Sequence, residues 1–220
     1  MKRHNIKQQG FTLTELMIVV ALAAVFATFA VPSMGSMIAR QRVQGQTNEI
    51  ANAFTFAHSE AVRRGKPVFI VPGSIKSDGK LNGPAQSWSA ANALLVFTDN
   101  GADNQTYQSG EDLRVVPIST QLYLPSVSEE TLGSSPSAKH DDKLAFVYYS
   151  NGQMRMKRDG TALRPPGGIA RIVVKDKKRA TKNQTTRFCD VVRIDATGRA
   201  SVFTGKRSTL RSNDFFYCNN

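Results

Sequence analysis

The sequence predicts an α+β protein in which one long N-terminal helix, with a membrane-embedded first half, packs against an antiparallel β-sheet head. Three observations carry this prediction. Residues 11–31 are almost entirely apolar, an amphipathic pattern with helical spacing continues to residue 64, and short β-like segments separated by turn signals fill the remainder. We divide the chain accordingly into a leader at 1–10, a membrane segment at 11–31, an amphipathic half-helix at 32–64 and a β-rich head at 65–220.

The first element is the apolar helix at 11–31. At a rise of about 1.5 Å per residue, this stretch matches the roughly 30 Å hydrocarbon core of a bilayer. Glu15 is the only ionisable side chain within it. An ionised side chain at that depth costs at least about 2.5–3.5 kcal/mol, so Glu15 is a functional candidate by default.

A polar and basic leader at 1–10 precedes this helix and ends in Gly10. Cleavage after Gly10 leaves an α-amino group on Phe11, about 6 Å along the helix from Glu15. The amine and the carboxylate then neutralise each other, either within one chain or between neighbouring helices.

The sequence Gly-Phe-Thr-Leu-Thr-Glu at 10–15, after a short basic leader, resembles the prepilin peptidase site of type IV pilins and type II secretion pseudopilins. The resemblance implies cleavage after Gly10, N-methylation of Phe11 and a Glu15 that steers the subunit into a filament. A Sec signal peptide cut after Ala30 is the alternative. A charge inside the apolar region and a helix that continues past this cut argue against it.

The second half of the helix, at 32–64, begins at Pro32, which removes one hydrogen bond and kinks the axis. A proline at this distance from Phe11 is similar to pilins and is assigned to assembly together with Glu15. The apolar stripe that follows has spacings of three and four and comprises Val43, Thr47, Ile50, Phe54, Ala57 and Ala61. The polar residues between Arg40 and Glu49 fall mostly on the other faces.

The head follows Gly65 and Pro67, which end the helix. Strands are predicted at 68–71, 93–97, 113–118, 122–124, 144–149, 154–157, 169–175, 189–194 and 200–203. Asn151-Gly152 suits a two-residue type I′ hairpin turn, and Thr197-Gly198 marks a second hairpin. Residues 126–142 are rich in serine and charge and predict an exposed loop.

Within the pilin class, the head resembles the GspH/FimT family of minor pilins and pseudopilins. The matching motifs are Ser59–Arg63, Val96–Asp99 and Ile194–Arg199. The resemblance implies a single-pass protein of the bacterial inner membrane with a periplasmic head. Its implied partners are other pilins, the prepilin peptidase and the inner-membrane assembly platform. A place in the initiation or tip complex of a type IV pilus or a type II secretion pseudopilus follows from it.

Cys189 and Cys218 are the only cysteines. In an exported head they predict one disulfide, and FimU-like minor pilins carry a C-terminal pair at similar positions. No Cys/His spacing indicates a metal site.

The chain is strongly basic, with a net charge of +12, and removing the three leader cations lowers this to +9. The C-terminal candidates for phosphate contacts are Lys175, Lys177, Lys178, Arg179, Lys182, Arg187, Arg199, Lys206 and Arg207. FimT-like members bind DNA through a Gly-Arg-x-Arg motif, of which Gly198-Arg199-Ala200-Ser201 keeps the first arginine only. DNA binding for transformation is therefore the alternative to a merely solvated surface.

Enzyme and cofactor motifs are absent from the sequence. The acidic loop at 99–112 fails the EF-hand spacing, and no Walker A, Gly-x-Gly-x-x-Gly or His-Glu-x-x-His motif occurs. His58 and His140 have no nucleophile or acid at a recognised spacing. We therefore predict no catalysis, no cofactor and no metal.

Overall fold

The computed structural model describes residues 11–99, 107–124, 127–131, 144–157, 165–179, 188–204 and 218; side chains are not described for 29–33 and 128–131. Helix α1 comprises Leu13–Arg64. The strands are β1 Val68–Ile75, β2 Leu81–Pro84, β3 Ala93–Thr98, β4 Asp112–Pro117, β5 Leu122–Tyr123, β6 Val127–Thr131, β7 Ala145–Tyr148, β8 Met154–Lys157, β9 Gly168–Asp176, β10 Cys189–Ile194 and β11 Ala200–Thr204. The α+β fold class is confirmed.

The strands form two antiparallel sheets. The first has the order β4-β3-β1-β7-β8, with β2 also paired to β1. The second has the order β11-β10-β9-β5, with β6 also paired to β9. The described strand pairs are antiparallel. Antiparallel strands can be connected by short hairpin turns as well as by longer segments.

The chain divides into two compact units, residues 1–38 and 39–220. In the second unit, the part of α1 that starts at Ala39 buries its apolar stripe against both sheets. Every predicted member of that stripe has zero exposure: Val43, Thr47, Ile50, Phe54, Ala57 and Ala61. The stripe prediction is confirmed. At about 25 cal/mol per Å² of apolar surface removed from water, this burial is a main source of the stability of the head.

The helix is continuous through Pro32, Gly35 and Gly45. Packing in the second unit compensates for the roughly 1 kcal/mol by which Gly45 weakens an isolated helix. The side chain of Pro32 lies outside the description, so the kink and the assembly role assigned to it stay predictions.

The prediction of an exposed loop at 126–142 is wrong for its first part, because Val127–Thr131 forms strand β6. Its backbone pairs with β9, and buried Val127 lies opposite Ile172. The hydrogen-bond partner that makes this segment a strand lies far along the chain, so local composition did not indicate it. Strand β2, which pairs with β1 within a glycine- and serine-rich connection, was missed for the same reason.

The hairpin at Asn151-Gly152 is present, but the predicted two-residue type I′ turn is wrong. Tyr149 and Gln153 close the loop through an N–H···O bond of 2.9 Å, and the Gly152 N–H donates to the Tyr149 carbonyl at 2.9 Å. Three residues therefore lie in the loop, and Gly152 at its last position has a left-handed backbone, with φ of 78°. A type I turn followed by a left-handed glycine is the usual three-residue solution.

Candidate functional site

The N-terminal segment begins α1 with a side-chain cap. The Oγ1 atom of Thr12 accepts a hydrogen bond from the backbone N–H of Glu15 at 3.2 Å. Thr-x-x-Glu is the sequence of a capping box, which satisfies one of the backbone donors that a first helical turn leaves without a helical acceptor. Glu15 thus lies in the first turn, where its charge also complements the helix dipole. Gly10, the predicted cleavage position, lies outside the described residues.

Large apolar side chains of the first half of α1 are exposed. Phe11 is 83% exposed and Phe26 is 72% exposed. The others are at least 55% exposed: Leu13, Leu16, Met17, Ile18, Val19, Val20, Leu22 and Val25. A continuous apolar surface of this kind marks a region that another molecule covers.

Within the part of the chain that the structure describes, no helix combines the length and the apolar character needed to cross a membrane. The predicted membrane segment at 11–31 includes positions 29–33, whose side chains are not described. The segment therefore stays a prediction.

Two ion pairs join α1 to the second sheet. Arg40 Nη1 lies 2.8 Å from Asp190 Oδ1, and Arg42 Nη1 lies 3.4 Å from Asp176 Oδ2. Both carboxylates are buried, at 0% and 3% exposure, whereas the arginines reach solvent. Buried carboxylates need such partners, so the pairs determine where the helix contacts this sheet.

Arg40 and Arg42 lie outside the apolar stripe, as predicted, whereas Gln46 is an exception to the polar-face assignment. Buried Gln46 donates from Nε2 to the Pro117 carbonyl and accepts the Ser119 N–H at Oε1, both at 3.0 Å. The sequence reasoning missed the acidic partners Asp176 and Asp190. A signal for these partners was present in the sequence: each aspartate lies in or next to an apolar strand segment, where a buried carboxylate would need a cationic partner such as an arginine of the helix.

The turn after β9 holds most of the described basic candidates. Asp176 Oδ1 accepts the backbone N–H groups of Lys178 and Arg179 at 3.0 and 2.9 Å. Lys177 donates from Nζ to the Thr120 carbonyl at 2.8 Å. Lys177 and Lys178 are exposed on this turn.

Other members of the predicted basic surface are placed differently. Lys175 is only 3% exposed on the face of β9 beside Cys189, and burial lowers the pKa of its ammonium group. The Arg179 guanidinium lies over the ring of Phe188, 5.8 Å from its centroid. Lys182, Arg187, Lys206 and Arg207 lie outside the described residues.

Arg199 lies at the opposite end of the second sheet. In the register of β9 and β10, Cys189 faces Lys175 at one end and Ile194 faces Ala170 at the other. Five residue steps of strand at about 3.3 Å each separate the two ends by roughly 17 Å. The described basic candidates therefore form two separate surfaces rather than one.

The hairpin turn that carries Arg199 is tightly bonded. Asp195 Oδ1 accepts the Thr197 hydroxyl at 2.6 Å and the backbone N–H groups of Thr197 and Arg199 at 2.9 and 3.0 Å. Burial alone raises the pKa of the Asp195 carboxyl, but these hydrogen bonds outweigh it and lower the pKa below its ordinary value. The Tyr148 hydroxyl donates to the Gly198 carbonyl, and burial raises the pKa of this tyrosine.

The acidic loop uses its carboxylates for local structure. Glu111 accepts the Gln108 N–H at 2.8 Å, and Asp112 accepts the Tyr107 hydroxyl at 3.2 Å. Among the residues that the structure describes, no group of three or more His, Cys, Asp or Glu side chains is placed to hold a metal. Exposed His58 contacts the Tyr148 ring edge-on, and His140 lies outside the described ranges.

The capped N-terminal segment and the helix-on-sheet head together define a pilin-like protein, and comparison with known proteins supports this class. The prokaryotic N-terminal methylation motif matches residues 5–31. The family model of the type II transport protein GspH matches residues 46–217, well over half of the chain, so the chain belongs to the GspH family. The resemblance drawn from the sequence motifs is confirmed.

Two curated relatives are major pilins. The chain is 34% identical over 94 residues to the type IV major fimbrial protein FimA of Dichelobacter nodosus, a match covering 41% of this chain and 60% of that protein. It is 26% identical over 147 residues to the type IV major alpha-pilin of Moraxella bovis, covering 62% of this chain and 92% of that protein.

Two solved structures are also similar. The minor pilin FimU of Pseudomonas aeruginosa aligns with a TM-score of 0.46 at 15% identity, covering 80% of this chain and 96% of FimU. The minor pseudopilin EpsH of the Vibrio cholerae type 2 secretion system aligns with a TM-score of 0.40 at 12% identity, covering 74% of this chain and 97% of EpsH.

Proposed function

We propose that this chain is a minor pilin or pseudopilin, a structural rather than catalytic subunit that takes part in assembling a type IV pilus or a type II secretion pseudopilus. The observation that carries the proposal is the exposed apolar surface at the start of α1, with Glu15 as its only acid. A single chain leaves that surface uncovered. A membrane before assembly, and the helices of neighbouring subunits afterwards, supply the cover.

The processing steps follow from the N-terminal motif. A prepilin peptidase cleaves between Gly10 and Phe11, and the new Phe11 amine is N-methylated. The Glu15 carboxylate then pairs with the Phe11 amine of an adjoining subunit. Before assembly, the protein is anchored in the inner membrane with its head in the periplasm. It then contacts the assembly platform and enters the initiation or tip complex.

Intact-mass analysis of the protein purified from bacteria with and without the peptidase tests the processing. We expect a chain that begins at N-methylated Phe11 when the peptidase is present, and the full leader when it is absent. A start near Val31 in both strains contradicts the proposal and indicates a secreted protein. Deletion of the gene should abolish or strongly reduce filaments, and normal filament number contradicts the initiation role.

DNA binding for transformation is the second candidate, favoured by exposed Lys178 and Arg199 on a chain of net charge +12. Because these residues lie at opposite ends of one sheet, K177E/K178E/R179E and Arg199→Gln should each weaken binding independently. Each lost phosphate contact should flatten the slope of log affinity against log salt by about one. The exposed pair Lys76 and Lys80, changed to glutamate, is the control for charge alone. Absence of binding at about 50 mM salt contradicts this candidate.

A further inference from the structure

A groove lies at the Arg199 end of the head, between α1 and two hairpin turns. One compartment has a volume of about 290 Å³ and is lined by residues that include His58, Thr197 and Arg199. The second has a volume of about 410 Å³ and is lined by the β7–β8 turn, Arg155, Pro165 and Thr197. Thr197 borders both compartments, so they adjoin each other at that residue. Volumes in this range are typical of ligand sites.

The walls of the groove are held in place by hydrogen bonds. Asn151 Oδ1 accepts the Gln153 N–H at 3.0 Å in one turn, and the Asp195 carboxylate organises the other. The Tyr148 hydroxyl ties the second turn to the first sheet through the Gly198 carbonyl. A binding surface built in this way is formed before any ligand arrives, which lowers the entropic cost of binding.

The lining combines positive charge with an apolar floor. Arg199 lies in one compartment and Arg155 in the other, and both are exposed. The Arg155 guanidinium lies 5.4 Å from the centroid of the Tyr149 ring, a contact that restricts its orientation. Two consecutive prolines, at 165 and 166, supply apolar surface in the second compartment. None of the described lining residues is acidic.

We propose that this groove binds an extended acidic segment of a partner protein. Carboxylates of the segment pair with Arg155 and Arg199, while its apolar side chains contact Pro165 and Pro166. A single-stranded nucleic acid held by base stacking is the less suitable occupant, because no Phe, Tyr or Trp among the described lining residues offers a face on which bases stack. The proposal concerns the head alone and stands whether or not α1 enters a filament.

The test uses the full mature chain in detergent and a fluorescent peptide of alternating glutamate and leucine. The variant R155Q/R199Q should weaken binding by roughly tenfold, since two exposed ion pairs are lost. The control K76Q/K80Q removes two exposed cations from the turn between β1 and β2 and should leave the affinity unchanged. Ala196→Trp places bulk on the exposed turn that lines the groove and should weaken binding with all cations retained.

Four outcomes overturn the proposal. Equal binding of a peptide with glutamine in place of glutamate removes the role of charge. Unchanged peptide binding by both R155Q/R199Q and Ala196→Trp, or no binding by the parent chain, removes the groove. A single-stranded oligonucleotide that binds more tightly than the peptide, and loses affinity in R155Q/R199Q, assigns the groove to a polyanion instead.

Discussion

Glu15 and Lys175 are two ionisable residues in opposite environments, the first exposed and the second buried. Glu15 is exposed in the first turn of α1, where a negative charge complements the helix dipole. Lys175 is buried on the second sheet, where desolvation disfavours its charge. Under the proposed function, Glu15 pairs with the Phe11 amine of another subunit, whereas buried Lys175 reduces the stability of its own head.

Glu15→Val should leave cleavage and membrane insertion intact but impair filament entry. The substitution removes a charge from an apolar segment, while the backbone N–H that Thr12 caps is retained. The Phe11 amine of an adjoining subunit then has no carboxylate partner. Subunit counting in purified filaments measures the effect. Thr14→Val is the matched control in the same turn, because it removes a hydroxyl without changing charge. Equal incorporation of the Glu15→Val chain and the parent contradicts the assigned role.

Lys175→Met should stabilise the head, most strongly at low and neutral pH. The folded state lowers the pKa of Lys175 from its ordinary 10.5, so the unfolded chain binds this proton more tightly. The stability of the parent therefore rises as pH increases from the lowered pKa towards 10.5, and the advantage of methionine shrinks over that window. Urea unfolding of a chain that begins at residue 39, at pH 7 and pH 10, measures both. Lys178→Met is the exposed control and should change neither value. A methionine variant less stable than the parent at pH 7 shows that the ammonium group has a stabilising partner.

At the scale of elements, two three-residue hairpin turns share one backbone design, and one of them also joins the two sheets. The turns before β8 and before β11 close in the same way, each with a glycine in the left-handed region at its last position. Gly198 also touches the first sheet, because its carbonyl accepts the Tyr148 hydroxyl. The second turn is thus both a hairpin and a contact between the sheets.

Gly198→Ala should destabilise the head far more than Gly79→Ala. Both glycines have a left-handed backbone, with φ of 84° and 81°, which costs an alanine about 1–2 kcal/mol. A Cβ on Gly198 would lie 2.6 Å from a ring carbon of Tyr148 and 2.9 Å from Met154 Cβ, whereas a Cβ on Gly79 meets nothing within 4 Å. Overpacking adds about 1–3 kcal/mol at Gly198 only. Chemical denaturation of the two variants measures the difference, and equal losses would show that the second turn yields freely.

At the scale of the whole molecule, the disulfide between Cys189 and Cys218 ties the C-terminal end of the chain to β10. The two cysteines are 29 residues apart and both are buried. Closing a loop of this length removes entropy from the unfolded chain, which amounts to about 3–4 kcal/mol.

C189S/C218S should therefore lower the free energy of unfolding by about 3–4 kcal/mol, as measured by urea titration under oxidising conditions. The parent protein unfolded in the presence of a reductant is the matched control and should approach the stability of the variant. Two free thiols in alkylated, non-reduced extracts would contradict the bond itself. An unchanged unfolding midpoint in the variant would show that native contacts alone order the tail.

The sequence by itself determined the features that depend on neighbouring residues. The apolar run, the 3.6-residue stripe from Val43 to Ala61 and the turn residues after Arg64 predicted α1 almost to its ends. Strands rich in β-branched residues were likewise predicted, because alternation and turn chemistry are local signals. The predicted cleavage motif at 10–15 is equally local, which is why it indicated the pilin class directly.

Only the tertiary structure decided which distant segments meet. Strand β6 exists because β9 supplies its hydrogen bonds, and the arginines at 40 and 42 lie against the sheet because Asp190 and Asp176 are buried there. Strand order placed Arg199 and the basic turn at opposite ends of the second sheet, roughly 17 Å apart along β10. The same order placed Arg199 and Arg155 in adjoining compartments that share Thr197. Such contacts join residues that are far apart along the chain. Their energies depend on which side chains are buried and which strands pair in the folded protein, and a local sequence pattern does not contain that information.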